Sequence, residues 1–243
     1  MCWQLCSQIG YYSLAFASAG FNVTAIEPMT QNLLALRASC CLNPSIGRRI
    51  RVVPTAVVGE ARLNDSCAVL SPFRANDHGD GKLECASNRS DWHCTRKHNG
   101  LSQRANFTYF FRYRRFCQQL RAPLRTLDML LHTLSWFEHA RRRGSLSVVK
   151  VDTAGSECDV LTSGASSLFH QLSPAAIMVS VGAHQATEGC VRRLAEEHGY
   201  AVHAIAGTVH LRTKHVVLSR GDTAKTESVT EATSLGRVWR VDR

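Results

Sequence analysis

Short apolar runs alternate with helical stripes along this chain, and the alternation predicts buried strands separated by covering helices. The runs at 21–26, 148–151 and 176–181 are rich in Val, Ile and Ala and are apolar at most positions. Strands of this kind are buried on both faces, as in a parallel sheet. The small-residue stretch 9–20 predicts a first helix. A second is predicted over 30–40, with Leu33, Leu36 and Cys40 on one face, Thr30 as its cap and Pro44 beyond its end. Leu161, Ala165 and Leu168 form one face of a later helix, and 187–198 suits another. A further extended segment covers 50–58, and 200–205 with 209–219 predicts a closing antiparallel pair.

The rhythm breaks between about 60 and 121, where NDHGDGKLECASNRSDWHCTRKHNG is dense in turn formers. The predicted layout is one α/β domain over 1–221 with an insertion at about 60–121, followed by a partly ordered tail, 222–243. That tail has few packing anchors beyond Leu235, Val238, Trp239 and Val241. Asp77, His78, Asp80, His93, Cys94 and His98 of the insertion are ligand-type residues, but no zinc or calcium spacing organises them. They are read as turn and solvated polar groups, and no metal site is expected.

Composition narrows the picture. With 243 residues and 44% hydrophobic content the chain can bury one sizeable core. No apolar run approaches the roughly 18 residues of a membrane span, so no integral membrane segment is expected. Leu5 already falls in the first predicted strand, and an N-terminal part is expected to be missing.

The net charge of +10 favours acidic or phosphorylated partners. Arg112, Arg114 and Arg115 interleave with Tyr109, Phe110, Phe111, Tyr113 and Phe116. This is read as an aromatic segment with solvated guanidinium heads; it matches no nucleic-acid-binding motif, and nucleic acid is an unlikely partner. The run 141–143 reads as a helix end. The 10 cysteines do not amount to a small disulfide scaffold, and Cys2 with Cys6 lacks zinc-site spacing. Sequons begin at Asn22, Asn64, Asn88 and Asn106. The compartment stays open, with the cytoplasm slightly favoured over a secretory lumen. Oligomeric state is not encoded in any motif.

Candidate chemistry centres on two strand-end acids, Glu27 in VTAIEP and Asp152 in VVKVDTAG. Each ends an apolar run, where an open parallel sheet presents its ligand-binding groups. QIGYYSLAFASAG before the first acid supplies a turn and a helix, although it lacks a full GxGxxG.

In these segments the chain resembles the FkbM-type methyltransferases, a class I S-adenosylmethionine-dependent group. The resemblance rests on QIGYYSLAFASAGFNVTAIEPMTQNLLALRASCCLNP, TAVVG, LRTLDMLL and VVKVDTAGSECDVLTSGA, spanning roughly residues 4 to 205. It implies a Rossmann-like class I methyltransferase sheet, mostly parallel with an antiparallel final strand and interrupted by the middle insertion. The implied cofactor is S-adenosyl-L-methionine, approached by Gln8 and Gly10, with Glu27 hydrogen-bonding the ribose hydroxyls and Pro28 beside it. Asp152 and Glu157 are the implied catalytic residues, Asp152 as orienting group or general base. His184 is a further candidate near the next strand end. The implied reaction is O-methylation of a small-molecule or glycan-like acceptor.

Departures from the family pattern fall in the first turn. Gln4, Cys6 and Ser7 stand where members usually carry Asp, Gly and Ala, and Ser180 stands where an acid is common. They give a second reading, a catalytically degenerate methyltransferase-fold module that binds an acidic partner or nucleic acid.

Overall fold

The computed structural model describes residues 1–72, 81–86, 115–119, 122–133, 146–182, 185–205 and 214–220. Its central sheet contains β1 (Cys2–Leu5), β2 (Val23–Ile26), β3 (Ile50–Val53), β4 (Val148–Val151), β5 (Ala176–Gly182), β6 (Tyr200–Ile205) and β7 (Lys214–Arg220). The seven lie in the order β3-β2-β1-β4-β5-β7-β6. Pairing is parallel from β3 across to β5, and β7 runs antiparallel to both β5 and β6. This is the predicted α/β sheet with its antiparallel closure.

The strand order reverses between β1 and β4, because β2 and β3 build outward on one side and β4 and β5 on the other. Such a switch point opens a crevice beyond the carboxyl ends of the strands. Register places the candidate residues there. Leu5 pairs with Ile26 and with Val151, and Val151 pairs with Val179. The next residues along, Cys6, Glu27, Asp152 and Ser180, therefore follow one rim, with His215 paired to Ser180.

Helices cover the sheet: α1 (Tyr11–Ser18), α2 (Thr30–Leu42), α3 (Leu127–Thr133), α4 (Glu157–Thr162) and α5 (Gln185–Glu197). The larger core packs Trp3, Leu5, Val149, Val151, Ile177 and Val179 of the sheet against Leu130, Leu131, Leu161 and Val191. A smaller cluster, Cys2, Phe16, Ala17, Val23 and Val148, includes the contribution of α1. Each fully buried Leu, Ile or Val contributes roughly 1.5–3 kcal/mol. Among the described residues, no helix is long and apolar enough to cross a membrane.

Several elements differ from expectation. The extended segment 50–58 breaks at Pro54, which lacks an N–H for the ladder. Ala56–Val57 then pairs with Leu124–Arg125, away from the main sheet. Thr30 does not cap α2; it is the first helical residue, and Met29 is the N-cap. The helix after β4 stops at Thr162, and a π-helix at Ser166–Leu172 follows. Gly164 separates them, where a Cβ would lie 2.6 Å from Cγ of Leu127, so this close approach requires glycine.

The insertion holds a sheet of its own. Ser66–Pro72 pairs antiparallel with both Lys82–Ala86 and Arg115–Gln119. Disulfides join Cys67 to Cys85 across that sheet and Cys158 of α4 to Cys190 of α5. Sequence spacing alone did not reveal either pairing. The ligand-type cluster from Asp77 to His98, the aromatic run with Arg112 and Arg114, His184, Asn88, Asn106, 141–143 and the tail 222–243 lie outside the described residues.

Candidate functional site

The turn after β1 carries two non-glycine residues in the left-handed region, Cys6 at φ 57° and Gln8 at φ 49°. Side chains disfavour that conformation by roughly 1–2 kcal/mol per residue, so the surroundings must hold it. The N–H of Ser7 donates to the Ile26 carbonyl at 2.9 Å, and the N–H of Gln8 donates to Oε2 of Glu27 at 2.8 Å. Gly10, at φ 96°, is the N-cap of α1, and a Cβ there would collide with Cδ1 of Leu36. Its glycine requirement comes from backbone angle and from packing of α1 against α2.

Glu27 is 2% exposed and organises both sides of this turn. Besides Gln8, its carboxylate accepts from the Met29 N–H at 2.9 Å and from Nδ2 of Asn32 at 3.2 Å, both at Oε1. Burial pushes its carboxyl above the usual range, against the opposing effect of those hydrogen bonds. A carboxylate offers about four lone-pair sites. Three are taken by protein donors, which leaves room at Oε2 for one hydroxyl hydrogen and not for two.

Beyond β4, Asp152 accepts at Oδ2 from the Lys150 ammonium at 2.5 Å. Lys150 lies 4.7 Å from the ring centroid of Tyr12, so its charge is met by a carboxylate and by an aromatic face. The chain then turns through Thr153 and Ala154 to Glu157, whose two carboxylate oxygens each accept from the Gly155 N–H at 3.0 Å. Glu157 is 2% exposed, and burial raises its carboxyl while backbone hydrogen bonds oppose the rise. The thiol of Cys6 is pushed well above its ordinary range by burial, then by Glu27 and Asp152.

These elements line an open cleft whose wall is part apolar and part polar. Pro28 and Met29, after β2, and Ala56 and Val57, after β3, are apolar, as is Leu83 of the inserted sheet; Cys6 and Gln8, after β1, and Asp152, Thr153 and Ser156, after β4, contribute polar groups, with Glu27 and Asn32 also in the wall. Oγ1 of Thr153 is buried without a hydrogen-bond partner among the described residues.

Of the residues singled out from sequence, Gln8, Glu27, Pro28 and Asp152 line this cleft. Gly10 and Glu157 do not; Gly10 seats α1, and Glu157 holds the loop that carries Thr153 and Ser156. Sequence reasoning did not mark Met29, Asn32, Lys150 or Leu83. Lys150 alone left a readable trace, a cation in an otherwise apolar strand.

No family profile matches the chain, and no curated protein does. Among solved structures it is similar to the methyltransferase FkbM from Methylobacillus flagellatus KT, with a TM-score of 0.51 and 13% identity over 90% of this chain. The match spans 42% of that FkbM chain. It is also matched to magnesium protoporphyrin IX methyltransferase (ChlM) from Synechocystis PCC 6803, solved with bound SAM, with a TM-score of 0.46, 9% identity and coverage of 91% of this chain and 70% of that one. The sheet order and the FkbM likeness define a class I, Rossmann-like methyltransferase fold.

Proposed function

We propose that this chain binds S-adenosyl-L-methionine in the switch-point cleft and transfers its methyl group to an oxygen of a small-molecule or glycan-like acceptor. The observation that carries the reading is the cleft at the reversal of strand order, apolar after β2 and β3 and polar after β1 and β4, with Glu27 and Asp152 along the same strand-end rim. An adenosyl group needs an apolar wall for its base and an acceptor for a ribose hydroxyl. The side with Pro28, Met29, Ala56 and Val57 supports the first, and the spare site at Oε2 of Glu27 supports the second. The polar wall with Gln8, Thr153 and Ser156 suits the charged amino-acid portion.

When bound, the cofactor supplies an electrophilic methyl on sulfur. The protein must align the acceptor oxygen behind that methyl and take its proton. Asp152 is assigned this role: Lys150 occupies Oδ2, and among the described residues no donor occupies Oδ1. Glu157 is assigned the supporting role of fixing the loop.

A second reading rests on the left-handed Cys6 and Gln8, a cost that glycine would remove. Under it the chain keeps the fold as a binding module for an acidic partner without turnover. Incubating purified protein with methyl-tritiated S-adenosyl-L-methionine and a panel of hydroxylated small molecules and glycans separates the two. Label in an acceptor, lost in an Asp152→Asn variant that retains its melting transition, supports the enzyme; cofactor binding without transfer to any acceptor supports the module.

A further inference from the structure

We infer that Leu83, carried by the inserted sheet, closes the nucleobase end of the cleft, and that the Cys67–Cys85 disulfide holds it in place. The inference rests on the cofactor reading above and adds a residue from outside the core fold. Leu83 and Gly81 line the same cleft as Glu27 and Asp152, although they belong to the insertion. Leu83 is two residues from Cys85 on one strand, so the two share a face. Cys85 is bonded to Cys67, which is 6% exposed and is its cross-strand partner in the register. The face that carries Leu83 is thereby fastened at a buried point.

A further tie links the strand of Leu83 to the segment that follows Ala56 and Val57. Nη1 of Arg62 donates to the Cys85 carbonyl at 3.4 Å and lies 3.8 Å from Oδ2 of Asp65. Arg62 sits in the short helix Glu60–Arg62, just after Ala56 and Val57, which form part of the apolar wall. Leu83 is half-buried there, an aliphatic group bordering open cleft volume. The flat, weakly polar part of the cofactor is its adenine, and an aliphatic surface with Pro28, Met29, Ala56 and Val57 suits a base better than a zwitterion.

Calorimetric titration of the full chain with S-adenosyl-L-methionine, S-adenosyl-L-homocysteine and adenosine tests the placement. Leu83→Ala is expected to weaken all three by a similar factor, about tenfold, with the melting temperature retained. The Cys67→Ser/Cys85→Ser double variant is expected to weaken them in the same direction. Unchanged affinity in folded Leu83→Ala, or a loss for S-adenosyl-L-methionine but none for adenosine, overturns the assignment. Unchanged affinity in the double variant overturns the part assigned to the disulfide. If the folded wild type binds none of the three, the cofactor reading itself fails and this inference falls with it.

Discussion

The ammonium of Lys150 sits 2.5 Å from Oδ2 of Asp152, with the lysine 2% exposed and the aspartate side chain 32% exposed. The two are neighbours on one face of the β4 end, because residues i and i+2 of a strand point the same way. A buried cation is tolerated only when paired, and removing one member of such a pair costs about 3–5 kcal/mol. Asp152→Ala is therefore expected to destabilise the fold by about 3 kcal/mol. Adding Lys150→Met to that variant should restore much of the loss. Urea denaturation of both single variants and the double variant gives the coupling, and additive effects would contradict the pairing.

Cys6 is the residue whose replacement should improve the fold. Its φ of 57° suits glycine, and burial, Glu27 and Asp152 all disfavour ionisation of its thiol. Cys6→Gly is expected to raise stability by about 1 kcal/mol and to leave or improve cofactor affinity. A lower urea midpoint for this variant would show that the thiol's packing outweighs the backbone strain.

Burial raises the carboxyls of Glu27 and Glu157 in the folded protein. The folded state thus holds protons at a pH where the unfolded chain, with glutamates near about 4.3, has released them. Their contribution to stability is most favourable below that unfolded value, and it declines as pH rises through the raised folded values. Glu157→Gln removes one of the two titrations and keeps a carbonyl oxygen for the Gly155 N–H. The melting temperature of the variant minus that of the wild type should therefore rise between pH 4 and pH 7 by the linkage relation, about neutral at the acid end. A flat difference curve would contradict the direction of the Glu157 shift.

Much of the sheet was legible because buried parallel strands leave continuous apolar runs, and β2, β4 and β5 fall where those runs lie. Glu27 and Asp152 were legible for the same reason, as acids that end such runs. Pro54 shows one limit: a local ladder defect moved Ala56–Val57 to a different partner, and hydrophobicity did not distinguish the two pairings. Glu27 shows another, since its chemical type was readable but the three donors that fill its oxygens come from a turn, a helix N-terminus and a side chain assembled in space. The Cys67–Cys85 bond and Leu83 depend on the pairing of Ser66–Pro72 with Lys82–Ala86, a register that turn-rich sequence did not announce.

Glu27 is the residue on which the cofactor reading turns, because it holds the Gln8 loop and faces the cleft with a single spare acceptor site. Isothermal titration of the full chain with S-adenosyl-L-methionine, beside Glu27→Ala checked for a retained melting transition, tests it most directly. Saturable one-site binding by the wild type, weakened tenfold or more in the variant (about 1.4 kcal/mol or more), is the predicted result. Absence of saturable binding by folded wild-type protein, or equal binding by the folded variant, would contradict it.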